Sequence, residues 1–202
     1  MNIVTRLRPI ALLASIFLLT ACGTTPPTNF YTLSAEVPQG MPPASAANRV
    51  IVGIGPVEVA DYLDRNQIVT RSGKTRLNLT ELDHWAGPIE SNIANILAIN
   101  LSHLLPDTHP IARPWPDADA EYHVLLKISR FDSDPTGEVQ LNASWGIQLK
   151  RAHNLVVIRD ANITQPSAGK SYDDITQTMS LALATLSEEI ALELGKMTSA
   201  SN

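Results

Sequence analysis

Four stretches of this chain have residue types that could do chemistry, and each lacks the rest of its apparatus. "SAGK" (Ser167 to Lys170) has the serine–lysine spacing of penicillin-recognising enzymes. Those enzymes place it at a helix start with further motifs downstream, and here those motifs are missing. "DSDPTGE" (Asp132 to Glu138) has the front half of a calcium loop. The twelfth position, which should be a bidentate glutamate, is Ala143, and strand-like segments flank the loop. It reads as a hairpin turn. "GIGP" (Gly53 to Pro56) has Glu58 at the third glycine position of a dinucleotide fingerprint and no helix directly after it, so it reads as a bend. The five histidines, at 84, 103, 109, 123 and 153, lack the i, i+4 spacing of zinc hydrolases. No metal site, catalytic residue or cofactor is expected.

Cys22 is different, because it is the only cysteine and follows a short apolar run. Arg6 and Arg8 precede that run, and Ile10 to Leu19 is apolar apart from Ser15. A basic flank, an apolar stretch of roughly 7–15 residues and a small-residue junction describe a secretory signal. A membrane span would need about 20 apolar residues. Leu19-Thr20-Ala21-Cys22 resembles the bacterial lipobox, in which the cysteine sulfur accepts a diacylglycerol and the new amino terminus is acylated. An unpaired thiol is a hazard in an oxidising compartment, whereas two or more acyl chains give a stable anchor. Residues 1–21 are thus expected to be a signal peptide and Cys22 a lipid attachment point. By resemblance to bacterial lipoproteins, Gly23 rather than aspartate after the cysteine favours the outer membrane. The polar, proline-containing residues 22–29 form the lipidated tether.

The remaining chain has the length of one domain. The full chain's formal net charge of −5 becomes more negative once Arg6 and Arg8 leave with the signal. Without a run of lysines or arginines, neither nucleic acid nor anionic lipid headgroups are expected ligands.

The elements that must position any site follow from hydrophobic period. Phe30 to Ala35 and Arg49 to Val59 read as strands, the second bent at Gly53, Gly55 and Pro56. "QIVTRS" and "RLNLTEL" flank a turn at "SGK". Pro88 opens a helix whose apolar positions are Ile89, Ile93, Ile96, Leu97, Leu101, Leu104 and Leu105, and Pro106 ends it. "HPIARPW" is a further short strand. Val139, Leu141, Ala143, Trp145, Ile147 and Leu149 alternate with polar residues, the pattern of a half-buried strand. "YHVLLKISRF" precedes it and "LVVIRDANIT" follows. A last helix from about Tyr172 to Leu194 has Ile175, Met179, Leu183, Leu186, Ile190 and Leu194 on one face, with Gly195 as its stop. The expectation is one α+β domain over residues 30–197, with two amphipathic helices packed on one face of a mostly antiparallel sheet. Residues 198–202 are expected to be a flexible tail.

Between two of these strands lie Tyr62, Leu63, Asp64 and Arg65. A tyrosine beside a carboxylate and a guanidinium either fixes a loop by hydrogen bonding or forms a recognition surface, since tyrosine and arginine are enriched at interface hot spots. The lipobox, "FYTL", "GIGPVEVADYLDRNQIVTR", "HWAGPIESNIANILAINLSHLLP" and "MSLALATLSEEIALEL" together resemble the auxiliary lipoproteins of ABC-type transport systems, the PqiC (YmbA-like) family. The resemblance spans essentially the whole mature chain.

It implies an outer-membrane-anchored periplasmic lipoprotein that docks or completes a lipid conduit. The partner would be an MCE-domain (PqiB-like) periplasmic protein, and assembly into a ring of identical subunits is left open. No catalytic residues carry over. Tyr62, Leu63, Asp64, Arg65, Gln67 and Trp85 are the family-matched candidates for the contact surface. The alternative, a periplasmic carrier of lipid or another small hydrophobe, requires an apolar pocket between helix and sheet.

Overall fold

The computed structural model describes residues 26–36, 49–112, 120–150 and 155–200. The expected signal segment 1–21, Cys22 and residues 201–202 lie outside these. The elements in chain order are β1 (Asn29–Tyr31), β2 (Val50–Val59), β3 (Gln67–Arg71), β4 (Leu77–Trp85), α1 (Ile89–Leu104), β5 (Thr108–Ala112), β6 (Tyr122–Ser133), β7 (Val139–Leu149), β8 (Leu155–Gln165) and α2 (Tyr172–Ala200).

Strand β6 organises the sheet. One edge pairs antiparallel with β7 along its whole length, from Tyr122↔Leu149 to Ser133↔Val139, and β7 pairs antiparallel with β8. The other edge is shared. β2 runs parallel along its first part, from Val52↔Tyr122 to Val59↔Ile128, and β3 then joins at Thr70↔Ser133. Residues 60–66 therefore leave this edge and return to it. β5 extends the sheet beyond β2 in parallel. β4 pairs antiparallel with β3 and parallel with β1. The sheet is thus mixed, although the antiparallel ladders make up most of its paired length. The bend expected in β2 is a register shift between Ile54 and Val57, where Gly55 takes φ 112°.

Both helices cover one face, as their apolar stripes require. α1 lies on β2 and β5, α2 on β7 and β8, and the helices touch each other. Asn100 Nδ2 donates to Ser187 Oγ at 3.1 Å between them. Ile93, Leu97 and Leu101 of α1 meet Met179, Leu183, Leu186 and Ile190 of α2 over Ile54, Val124, Leu126, Leu141 and Ile147 in one buried cluster.

Pro88 stands at the N-cap of α1, one position before the first helical residue. Helix α2 starts with a capping box: Asp174 N–H donates to Ser171 Oγ at 3.1 Å, and Ser171 N–H to Asp174 Oδ2 at 3.3 Å. Buried Ser180 and Ser187 satisfy their hydroxyls on the carbonyls of Thr176 and Leu183.

The second helix does not stop at Gly195. It continues to Ala200, through residues whose composition suggested a tail. Met197 packs against the core, so burial outweighs the cost of roughly 1 kcal/mol that glycine adds to a helix interior.

Candidate functional site

The excursion at residues 60–66 is built like a staple. Leu63 N–H donates to the Ala60 carbonyl at 2.7 Å, Arg65 N–H to Leu63 at 2.8 Å, and Trp85 N–H to Asn66 at 2.7 Å. Leu63 and Trp85, 7% and 5% exposed, sink into the core. They shape the turn from within and offer no surface to a partner. Gln67 enters β3 opposite His84. Asp64 is exposed, and the Arg65 Nε is buried without a hydrogen-bond partner.

The Tyr62 hydroxyl donates to Asp132 Oδ2 at 3.0 Å. Asp132, fully buried, is the hub of this region. Arg71 donates to it from Nε and Nη2, and Arg130 from Nε at 2.9 Å. The Arg71 guanidinium carbon also lies 5.8 Å from the Tyr62 ring centroid. The carboxylate–guanidinium pairing suggested by adjacent Asp64 and Arg65 is thus made instead by Asp132 with two arginines from β3 and β6. Such pairing is what a carboxylate without solvent requires.

Burial foremost, then the Asp132 charge and hydrogen bond, push the Tyr62 phenol up to about 12. The hydrogen bond to Asp132 raises Arg71 above its ordinary value, overcoming burial. The arrangement is a rigid polar lock. It holds the turn that bears Asp64 and Arg65 between the stretches of β6 paired with β2 and with β3.

In the sequence Asp132 looked like turn residue. The register shift between Ile128 and Arg130 breaks the alternation, so Phe131, Asp132 and Ser133 are all buried in succession. β6 therefore runs further than "YHVLLKISRF", and the turn itself is confined to residues 134–138. Asp134 Oδ1 accepts from Thr136 N–H at 2.8 Å and Glu138 N–H at 3.1 Å, and Gly137 adopts φ 97°. The calcium-loop look-alike is this turn, with its first carboxylate spent on arginines. Among the described residues no group of three or more histidine, cysteine, aspartate or glutamate side chains is placed to hold a metal ion. "SAGK" lies in the loop before α2, where Ser167 Oγ accepts from Gly169 N–H at 3.4 Å.

A second polar cluster fastens β1. Asp83 accepts from Asn29 Nδ2 at 2.9 Å, the Tyr31 hydroxyl at 3.0 Å and the Thr80 hydroxyl at 2.9 Å. Burial works to raise the Asp83 pKa, yet these bonds together hold it below its ordinary value. Burial, then the Asp83 hydrogen bond and charge, push Tyr31 up to about 12.

The fold is a two-helix layer on a mixed sheet, with β2 and β3 set in tandem along one edge of β6. Residues 31–191 match the family described as the ABC-type transport auxiliary lipoprotein component, and the chain belongs to it. The intermembrane transport lipoprotein PqiC of Escherichia coli (strain K12) is 22% identical over 169 residues, covering 84% of this chain and 87% of that protein. Two solved structures share the fold. One, an uncharacterized protein, has a TM-score of 0.70 at 21% identity, covering 84% of this chain and 99% of the other. The second, a Xanthomonas campestris protein of the DUF330 family, has a TM-score of 0.67 at 16% identity, covering 85% and 99%. Among the described residues no helix is long and apolar enough to cross a membrane.

Proposed function

We propose that this chain is an outer-membrane-anchored periplasmic lipoprotein that serves as the docking component of an MCE-type intermembrane lipid transport system. It acts by contact, without catalysis, and contributes to envelope integrity. The observation that carries the reading is the family match, which spans both the polar lock and the turn it holds. The Escherichia coli relative, an intermembrane transport lipoprotein, supports the same direction. The lock supplies what a docking surface needs: a rigid base under exposed Asp64 and partly exposed Arg65, so that binding does not first have to order the loop.

The carrier alternative needs room between helices and sheet. Over the centre of the sheet that space is filled by Ile93, Leu97, Leu101, Met179, Leu183 and Leu186, all at or below 2% exposure, and the cleft between α1 and β2, lined by Ile54, Val57, Glu90 and Ala94, opens to solvent.

The test is crosslinking of the membrane-borne lipoprotein followed by mass spectrometry of what is recovered with it. An MCE-domain protein should be recovered with the native chain and lost with the paired change Asp64→Lys and Arg65→Glu, at unchanged thermal midpoint. Recovery of the same partner by this variant removes the turn as the docking surface. Lipid recovered with no protein partner overturns the docking role.

A further inference from the structure

The turn between β3 and β4 carries unbalanced positive charge in a chain that is acidic overall. Residues 72–80, "SGKTRLNLT", include Lys74 and Arg76 and no acid. Both are exposed. Lys170 lies close by, since it lines one shallow cleft together with Arg71, Ser72 and Asn78. Among the described residues, Lys74, Arg76 and Lys170 make no ion pair. Asp134 lines the same cleft and keeps its negative charge, its hydrogen bonds coming from the neutral N–H groups of Thr136 and Glu138, so it offsets one of the three cations, while Arg71 is held by Asp132. Leu79, next along β4, is 49% exposed.

The chain direction brings this patch to the anchored end. β1 is parallel to β4, with Asn29 opposite Asp83. Strand β1 therefore runs in the same direction as β4, and its Asn29 end faces the side on which β4 begins and the β3–β4 turn lies. Cys22 is only seven residues before Asn29, a reach of at most about 25 Å for extended chain. We propose that Lys74, Arg76 and Lys170 rest on anionic phospholipid headgroups of the membrane that holds the anchor, with Leu79 at the same contact. The proposal relies on the reading of Cys22 as lipidated. The contact fixes the domain's orientation, so the Asp64–Arg65 turn meets its partner from a defined side. Cations beside an anionic bilayer each strengthen attachment roughly fivefold.

The experiment uses the full lipidated chain in vesicles of phosphatidylglycerol or of phosphatidylcholine, with a headgroup-nitroxide lipid as quencher. A fluorophore is placed at Gly73→Cys, where an added Cβ meets nothing within 4 Å, or at Asn162→Cys on β8 as the reference. Flotation is measured first. Quenching at 73 should exceed that at 162 in phosphatidylglycerol and weaken in phosphatidylcholine. The contact equilibrium read from that quenching should weaken roughly fivefold for each of Lys74→Gln, Arg76→Gln and Lys170→Gln, and the excess quenching should vanish at about 1 M salt, where the screening length is about 3 Å. Equal quenching at both positions, or no difference between the lipids, overturns the contact while leaving the anchor standing. Failure of the chain to float overturns the anchor and the contact with it.

Discussion

Arg71 Nη2 lies 2.9 Å from Asp132 Oδ2, and its Nε 3.2 and 3.3 Å from the two carboxylate oxygens, although 61 residues separate them in the chain. The pair ties the end of β3 to the end of β6 at a point where only Thr70 and Ser133 are in register. Where the ladder between those strands is thinnest, a charge pair takes its place.

Removing that carboxylate should be costly. Asp132→Ala leaves two guanidiniums, 18% and 24% exposed, without their counter-charge. Breaking a buried pair costs about 3–5 kcal/mol, and the solvent reaching both arginines favours the lower end. Urea unfolding followed by circular dichroism should show a loss of about 3 kcal/mol. A loss within about 0.5 kcal/mol, ordinary for a surface change, would mean that the lock is ornamental.

Alkali tests the tyrosines. Tyr62 and Tyr31 hold their protons to about 12, against an ordinary 10.0. The folded state binds those protons more tightly, so the stability they add is complete below pH 10 and lost as pH rises from 10 to 12. The urea midpoint should decline across that window, and more gently in Tyr62→Phe. A wild-type curve that matches the Tyr62→Phe curve throughout would contradict the buried hydroxyl contact.

Acid tests Asp83, with the opposite sign. Its folded pKa lies below the ordinary 3.8, so its contribution is full above that value and drains away as pH falls through the folded value. Asp83→Asn should be less stable than wild type at pH 6, and the gap between their thermal midpoints should close toward pH 2. A constant gap would show that the loss is one of shape and not of charge.

How much of this was legible in the sequence depends on the distance over which partners meet. The alternation from Val139 to Leu149 and the helical stripe from Ile89 to Leu104 are local, and both elements formed where those periods placed them. The parallel pairings of β2 with β6 and β3 with β6 join strands far apart in the chain, and no periodicity encodes them. Asp132 was hidden by its neighbours: beside Ser133, Asp134, Pro135 and Gly137 it has the composition of a turn, while its arginines come from elsewhere. Gly195 misled for the reverse reason. Glycine commonly ends helices, but here Leu194 before it and Met197 after it are held by the core. Tyr62 was recognisable as a residue that fixes its loop, but its partner was not.

The β1 end of the domain also has a mechanical character. β1 pairs with β4 over three positions, and Asn29 and Tyr31 both donate to the same Asp83 carboxylate. A pull on the chain before Asn29 runs along the strand axis, so it loads these bonds together in shear instead of peeling them one by one. A three-residue strand that would be trivial as a piece of sheet becomes a strap. A load applied at Asn29 is shared between backbone and carboxylate before it reaches the core.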